Sequence, residues 1–134
     1  TATHAHGAFM GVYGMLGIGL MLFCLRGLAG DTRGWDDKWL KWAFWSLNIG
    51  LAAMLAMSLL PVGLVQFFAV IENGYWFARS PEVLHSPMVE TLVWMRMPGD
   101  VLFGMGGIFF ALFMVKPVLA VLKPYLGRNK EAIS

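Results

Sequence analysis

The sequence predicts an all-α integral membrane protein with three transmembrane helices, and the distribution of charge is the main reason. Hydrophobic residues make up 58% of the 134 residues and charged residues only 13%, about half the charged share of ordinary soluble domains. Three stretches contain no Asp, Glu, Lys or Arg: residues 1–25, 42–71 and 101–115. A spanning helix needs about 20 apolar residues, so the first two stretches suffice and the third does when it is extended at either end.

The helices are expected within a single transmembrane unit covering residues 1–134, at about residues 3–25, 37–72 and 98–122. Asp36 and Asp37 suit the start of the second helix, because acidic side chains are favourable at a helix N-terminus. Pro61 lies in the middle of that helix, where it should remove one backbone hydrogen bond and produce a kink.

The third helix is expected to follow a short helix at about residues 88–97. Pro117 should bend it and Pro124 should end it, because proline lacks the N–H group that a helix interior uses. The polar tail, residues 127–134, is expected to fray.

The first apolar segment does not fit a secretory signal peptide, because it lacks a basic start and its apolar run is too long. The chain has no initiator Met and begins inside a predicted helix, so we expect it to be part of a larger polypeptide. No basic stripe is present, and a nucleic-acid partner is therefore not expected.

Basic residues predict the orientation through the positive-inside rule. They are concentrated in the first connector and at the C-terminal end, at Arg26, Arg33, Lys38, Lys41, Lys116, Lys123, Arg128 and Lys130. The middle connector carries only Arg79 and Arg96. The C-terminus should therefore be cytoplasmic, and the end with His4 and His6 should face outward. Trp35, Trp39, Trp42, Trp45, Tyr75, Trp76 and Trp94 should form aromatic belts at the two interfaces.

His4 and His6 are the strongest indication of chemistry. An α-helix turns about 100° per residue, so two side chains spaced i, i+2 point to opposite flanks and cannot clamp one ion. Ligating side chains within a membrane are costly and usually functional. The pair therefore favours one helix serving two separate cofactors, although two histidines near an interface can also be without a ligand role.

Gly7, Gly11 and Gly14 follow His4 at offsets that place them on its flank of a regular α-helix. Such a strip would let a flat macrocycle approach if His4 held its iron, since imidazole is a usual axial ligand of haem iron. The alternative is close helix–helix packing, which uses the same small residues.

Five segments carry a resemblance to a known family. They are THAHGAFMGVYGML (3–16), FWSLNIGLAAM (44–54), SLLPVGLVQ (58–66), ENGYWFARS (72–80) and WMRMPGD (94–100). The first resembles the helix of the haem–copper oxidase superfamily that carries a His-x-His pair. The whole pattern resembles the last three helices of the large subunit of bacterial nitric oxide reductase, of the quinol-oxidising type.

The resemblance implies a role for each histidine. His4 would be the proximal ligand of a high-spin haem b3, where nitric oxide is reduced, and His6 an axial ligand of a low-spin haem b. The family also holds a non-haem iron, whose ligands match nothing in this chain. Arginines in the corresponding loop of the superfamily bind haem propionates, which implies that role for Arg96, with Arg79 as a second candidate. The alternative for Arg96 is a helix-end ion pair with Asp100.

The complete enzyme that the resemblance implies reduces two NO to N2O and water with electrons from quinol. It would be a multi-pass protein of the bacterial inner membrane, with the histidine end toward the periplasm. Its partners would be the remaining helices, membrane lipid and quinol, and a homodimer is compatible with it. The alternatives are a cytochrome-c-dependent nitric oxide reductase, a terminal oxidase, or a cofactor-free three-helix anchor.

Two further residues are given no ligand role. His85 lies among prolines in a connector, and an isolated histidine there is usually structural. Glu72 follows a long uncharged run, and it is expected to mark the helix end rather than a proton path.

Overall fold

The computed structural model describes residues 2–29 and 35–131. All regular elements within these ranges are helical, and no strand occurs among them, which confirms the all-α fold class. We number the helices α1 (residues 2–29), α2 (37–73), α3 (Pro81–Leu84), α4 (Pro87–Trp94) and α5 (Met97–Glu131). Three segments are long and apolar enough to cross a membrane: His4–Leu28, Asp37–Asn73 and Pro87–Lys123.

Helix α1 changes its hydrogen-bonding pattern along its length. It is α-helical over Ala2–His6, a π-helix over Gly7–Gly14 and α-helical again over Met15–Ala29. Its described part extends to Ala29, beyond the expected end near residue 25, and the basic Arg26 in the last described turn is favourable near the negative end of the helix dipole. Residues 30–34 lie outside the described part. Arg33, one of the basic residues used to predict the orientation, is among them.

Helix α2 begins as the acidic residues predict. Asp36 is the N-cap, and its Oδ1 accepts a hydrogen bond of 3.2 Å from the backbone N–H of Lys38. Such a cap satisfies one of the donors that the first helical turn leaves unpaired. The helix ends at Asn73, where Gly74 takes the left-handed φ of +88° that favours glycine.

The effect of Pro61 on α2 is a short π-helix. The chain is α-helical over Asp37–Met54, π-helical over Leu55–Leu59 and α-helical over Leu60–Asn73. A wider turn directly before the proline gives its ring room and absorbs the missing hydrogen bond. The interruption was predicted from the sequence, but its π-helical form was not.

The short helix before the third span is confirmed as α4. Ser86 is its N-cap: Oγ accepts a hydrogen bond from the N–H of Val89 at 3.4 Å and donates one to the carbonyl of Val83 at 2.8 Å. This double role fixes the direction in which the chain enters α4.

Helix α5 continues further than the prolines suggest. Pro117 is fully buried inside it, and the backbone stays helical through Pro124 to Glu131. Pro124 therefore does not end the helix at about residue 122. One proline removes a single hydrogen bond, which a long helix can absorb by local distortion. Of the tail expected to fray, residues 127–131 are helical, and residues 132–134 lie outside the described part.

Helices α2 and α5 pack in antiparallel fashion and form most of the core. Leu47 lies against Gly106, and Gly50 lies against Gly99 further along. Because the residue numbers rise on one helix and fall on the other, the two chains run in opposite directions. Ala43 of α2 is 1% exposed in this interface.

Helix α1 packs against α2 and also contacts α5. A Cβ on Gly11 would lie 3.3 Å from Leu51, and the next turns line an apolar cavity of about 200 Å³ together with α2 and α5. In that cavity Leu22 of α1 and Leu40 of α2 face the same space. The pairing of residue 11 with 51 and of 22 with 40 makes α1 antiparallel to α2.

Candidate functional site

The two histidines lie on the first α-helical turns of α1, Ala2–His6. The spacing of two residues on an α-helix directs their imidazoles to opposite flanks. Their surroundings differ accordingly: His4 is exposed, whereas His6 is half-buried. The pair therefore presents one imidazole on the open side of the helix and the other toward the protein.

The turn that carries the histidines packs against the second half of α2. Residues Ala2–His6 contact both the π-helix Leu55–Leu59 and the following segment Leu60–Asn73. Helix α4 contacts the same two segments. The histidine end of α1 and the connector between α2 and α5 are thus brought to one half of the bundle.

A π-helix begins directly after His6 and changes the geometry expected for the glycines. Bonds from i to i+5 widen each turn, so successive residues rotate by less than 100°. Gly14 is consequently rotated off the flank of Gly7, whereas Gly11, about one wide turn after Gly7, stays near that flank. Outside its own stretch of helix, a Cβ on Gly7 would meet no atom of the described residues within 4 Å, whereas Gly11 faces Leu51 of α2. The expectation of a common flank was wrong for Gly14, because it assumed a regular α-helix.

The open face at Gly7 is what remains of the predicted strip. In a helix, the surface that a side chain covers lies toward the N-terminus from its own Cα. The space at Gly7 therefore borders the turn of His4, whose imidazole is exposed. An exposed imidazole next to a surface without a side chain fits a planar macrocycle with its iron on His4.

Two π-helices flank the site, and neither was predicted. One follows the histidines in α1, and the other, Leu55–Leu59, contacts the histidine turn from α2. Ser58 in the second is 2% exposed, which makes it a buried polar residue beside the site. Such segments are rare and are frequent at functional sites. In the sequence, Pro61 could have indicated the π-helix of α2, and the high density of glycines could have indicated the π-helix of α1.

Arg96 lies in the turn between α4 and α5 and pairs with Asp100. Its Nε donates to Oδ2 of Asp100 at 2.8 Å, so the helix-end ion pair considered for these residues is present. This bond uses one of the five N–H donors of the guanidinium. The other four make no hydrogen bond to the described residues, so Arg96 can bind a second carboxylate while it stays paired with Asp100.

Two other polar residues of this half, Arg79 and His85, have local partners. The guanidinium carbon of Arg79 lies 4.4 Å from the centroid of the Tyr75 ring, a cation–π contact. Nδ1 of His85 lies 3.1 Å from the carbonyl oxygen of Pro81. Glu72 is exposed in the last turn of α2. Among the described residues, no three His, Cys, Asp or Glu side chains come close enough together to hold a metal ion.

Comparison with protein families identifies the chain. The family model of cytochrome c and quinol oxidase polypeptide I matches residues 1–102, about three quarters of the sequence. The chain belongs to this family. A search of curated proteins finds no match.

The matched part of the oxidase polypeptide I family covers the histidine pair, all of α2 and Arg96 with Asp100. Members are haem–copper-type membrane oxidoreductases that typically bind haem. The three apolar helices agree with the integral membrane character of the family. The exposed His4 and half-buried His6 therefore lie in a chain whose family uses haem.

Proposed function

We propose that this chain is the C-terminal part of a quinol-dependent nitric oxide reductase. The complete enzyme would convert two NO and one quinol into N2O, water and quinone. The quinol supplies the two electrons and two protons that this reaction consumes. The proposal rests on family membership, on the His4/His6 pair and on the resemblance of the five segments to the nitric oxide reductase branch.

The observation that carries the proposal is the different exposure of two histidines two residues apart. The exposed imidazole of His4 would hold the high-spin haem b3, with the open face at Gly7 giving the macrocycle room. The half-buried His6 would hold the low-spin haem b on the opposite flank. When bound, these haems supply the iron that carries electrons and reduces nitric oxide. Because only Ala5 separates the two ligands, the covalent path between the haems would be short.

The remaining parts of the site would come from other helices of the same enzyme. These include the ligands of the non-haem iron and the second axial ligand of haem b. Arg96 would bind a haem propionate with the donors that Asp100 leaves free. The enzyme would lie in the bacterial inner membrane, with the histidine end toward the periplasm and the C-terminus in the cytoplasm. The distribution of basic residues supports this orientation.

Visible spectroscopy of the assembled protein tests the histidine roles. His4→Ala should remove the high-spin haem signal and His6→Ala the low-spin signal, each in a protein that still assembles. His85→Ala is the control, because its ring already contacts a carbonyl in a connector, and it should leave both signals intact. Full haem content in both variants would refute the haem assignment and favour a cofactor-free membrane anchor.

Oxygen reduction is the second candidate, because the matching family model is named for cytochrome c and quinol oxidases. Turnover of the assembled enzyme separates the two. The proposal predicts that NO is consumed with quinol as donor, and that O2 is consumed much more slowly. Faster O2 consumption would identify a terminal oxidase. A requirement for reduced cytochrome c in place of quinol would identify the cytochrome-c-dependent type.

A further inference from the structure

A groove lined by lysine and tryptophan side chains lies at the opposite end of the bundle from the histidines. It consists of two adjoining hollows at the start of α2. One, of about 400 Å³, is lined by Lys38, Lys41, Trp42 and Trp45. The other, of about 260 Å³, is lined by Lys38, Trp39, Trp42 and Phe109. We call the two together the Lys–Trp groove.

The groove follows from helical spacing. Lys38, Lys41, Trp42 and Trp45 are spaced i, i+3, i+4 and i+7 and so occupy one face of α2. Trp42 is 58% exposed and Trp45 52% exposed. The described parts of α1 and α5 therefore leave this face largely open.

Aromatic contacts with Phe109 of α5 and with Phe44 of α2 position the indole rings that form the wall. The ring centroids of Trp39 and Trp42 lie 5.8 and 6.4 Å from that of Phe109. The ring of Trp45 lies 5.6 Å from that of Phe44 in an edge-to-face arrangement. These are distances at which aromatic pairs attract, so the wall is held in place before any ligand binds.

Lys38 and Lys41 of the groove make no ion pair with the described residues. Asp36, two residues before Lys38, accepts from Nζ of Lys116 at 3.4 Å and caps the N–H of Lys38. Asp37 is spaced i, i+4 from Lys41, yet the two make no ion pair. The ammonium groups of Lys38 and Lys41 are therefore available to an anion.

The combination of ammonium groups and exposed indoles fits one class of ligand. Tryptophan is favoured at the membrane interface, where its ring lies at headgroup level. Lysine can extend its ammonium group toward the phosphates while its stem stays on apolar surface. Basic pockets beside transmembrane helices bind anionic headgroups. A soluble anion would use the lysines alone and gain nothing from the indole wall.

We propose that the Lys–Trp groove binds an anionic phospholipid, with its phosphate at Lys38 and Lys41 and its acyl chains along Trp42 and Trp45. The proposal does not depend on which gas the enzyme reduces. It makes this end of α2 a lipid-binding site distinct from the histidine end.

Lipid binding to the assembled protein tests the proposal. The protein is placed in nanodiscs of phosphatidylcholine with increasing mole fractions of phosphatidylglycerol, and retained lipids are counted by native mass spectrometry. The wild type should retain phosphatidylglycerol in preference to phosphatidylcholine. The K38Q/K41Q variant should require about 25 times more phosphatidylglycerol for the same retention, since each basic residue near a membrane contributes about a fivefold factor.

The control variant is R26Q/K123Q, which removes two charges at the same end of the bundle without touching the groove. It should retain phosphatidylglycerol like the wild type. Trp42→Leu should weaken retention, whereas Trp76→Leu, at an exposed position near the other end of α2, should not. The proposal is overturned if the two double variants lose the lipid equally, or if the wild type shows no preference for phosphatidylglycerol. Displacement of the lipid by millimolar inorganic phosphate would overturn it too.

Discussion

Gly106 of α5 lies directly against Leu47 of α2. A Cβ built on Gly106 would lie 2.7 Å from Cγ and 2.8 Å from the backbone nitrogen of Leu47, closer than two such atoms can approach. Next to it in the chain, Gly107 has no atom within 4 Å of its Cβ position. Small residues at such a crossing let helix backbones meet, and packing of this kind supplies much of the association energy of helices in a membrane.

Gly106→Ala should therefore destabilise the packing of α2 on α5 by about 1–3 kcal/mol, the usual cost of an overpacked core. Gly107→Ala is a matched control on the neighbouring residue and should leave stability unchanged or slightly raised, because alanine is the better helix former. Thermal unfolding of the purified protein in detergent measures both. Equal effects of the two substitutions would show that the close crossing at residue 106 contributes no stability.

The open face at Gly7 gives a test of the proposed haem position. Gly7→Leu should fill the space beside His4 and reduce the high-spin haem content at least several-fold, while the helices still assemble. Gly17→Leu fills an equally open position further along α1 and serves as the control. The haem-to-protein ratio from the pyridine haemochrome assay, read together with the spectra, distinguishes them. Unchanged haem content in the Gly7 variant would exclude a macrocycle on that face.

Arg96 and Asp100 should respond differently to substitution. Both side chains are more than one third exposed (39% and 34%), so their ion pair stabilises the fold by well under 1 kcal/mol. Asp100→Asn should accordingly leave thermal stability nearly unchanged. Arg96→Lys should alter the redox midpoint of a haem, because lysine cannot reproduce the planar fork that binds a propionate.

Spectroelectrochemical titration of the assembled protein gives that midpoint. Arg79→Lys is a comparison variant in the same connector, where a cation–π contact with Tyr75 occupies the guanidinium. If the redox midpoint shifts in neither arginine variant, Arg96 does not bind a propionate, and its role is limited to the ion pair with Asp100.

Asp36 combines a helix cap with an ion pair, and the two can be separated. Asp36→Ala removes both and should cost about 1 kcal/mol, within the range of about 0.5–2 kcal/mol known for N-caps. Asp36→Ser keeps a capping oxygen without the charge and should restore most of that loss. Thermal unfolding measures the difference. If the serine variant were as unstable as the alanine variant, the interaction with Lys116 would be the dominant contribution.

The sequence by itself determined three features: the three apolar helices, the start of α2 after Asp36, and the short helix before α5. These features depend on local chemistry: apolar length, an acidic cap and proline spacing act on neighbouring residues. The opposite flanks of His4 and His6 also follow from local α-helical geometry. The roles of the two histidines in haem binding remain proposals that the spectra of the variants must decide.

Only the tertiary structure decided how the glycines are used and where the π-helices occur. Gly7 stays open while Gly11, about one turn further along α1, packs on Leu51 of α2. Gly50, Gly99 and Gly106 lie at the crossing of α2 with α5 although many other glycines in the sequence do not. The Lys–Trp groove likewise needs Phe109 of α5 to complete a wall that α2 begins. Which face of a helix meets a neighbour depends on contacts between distant parts of the chain, and local sequence patterns do not contain that information.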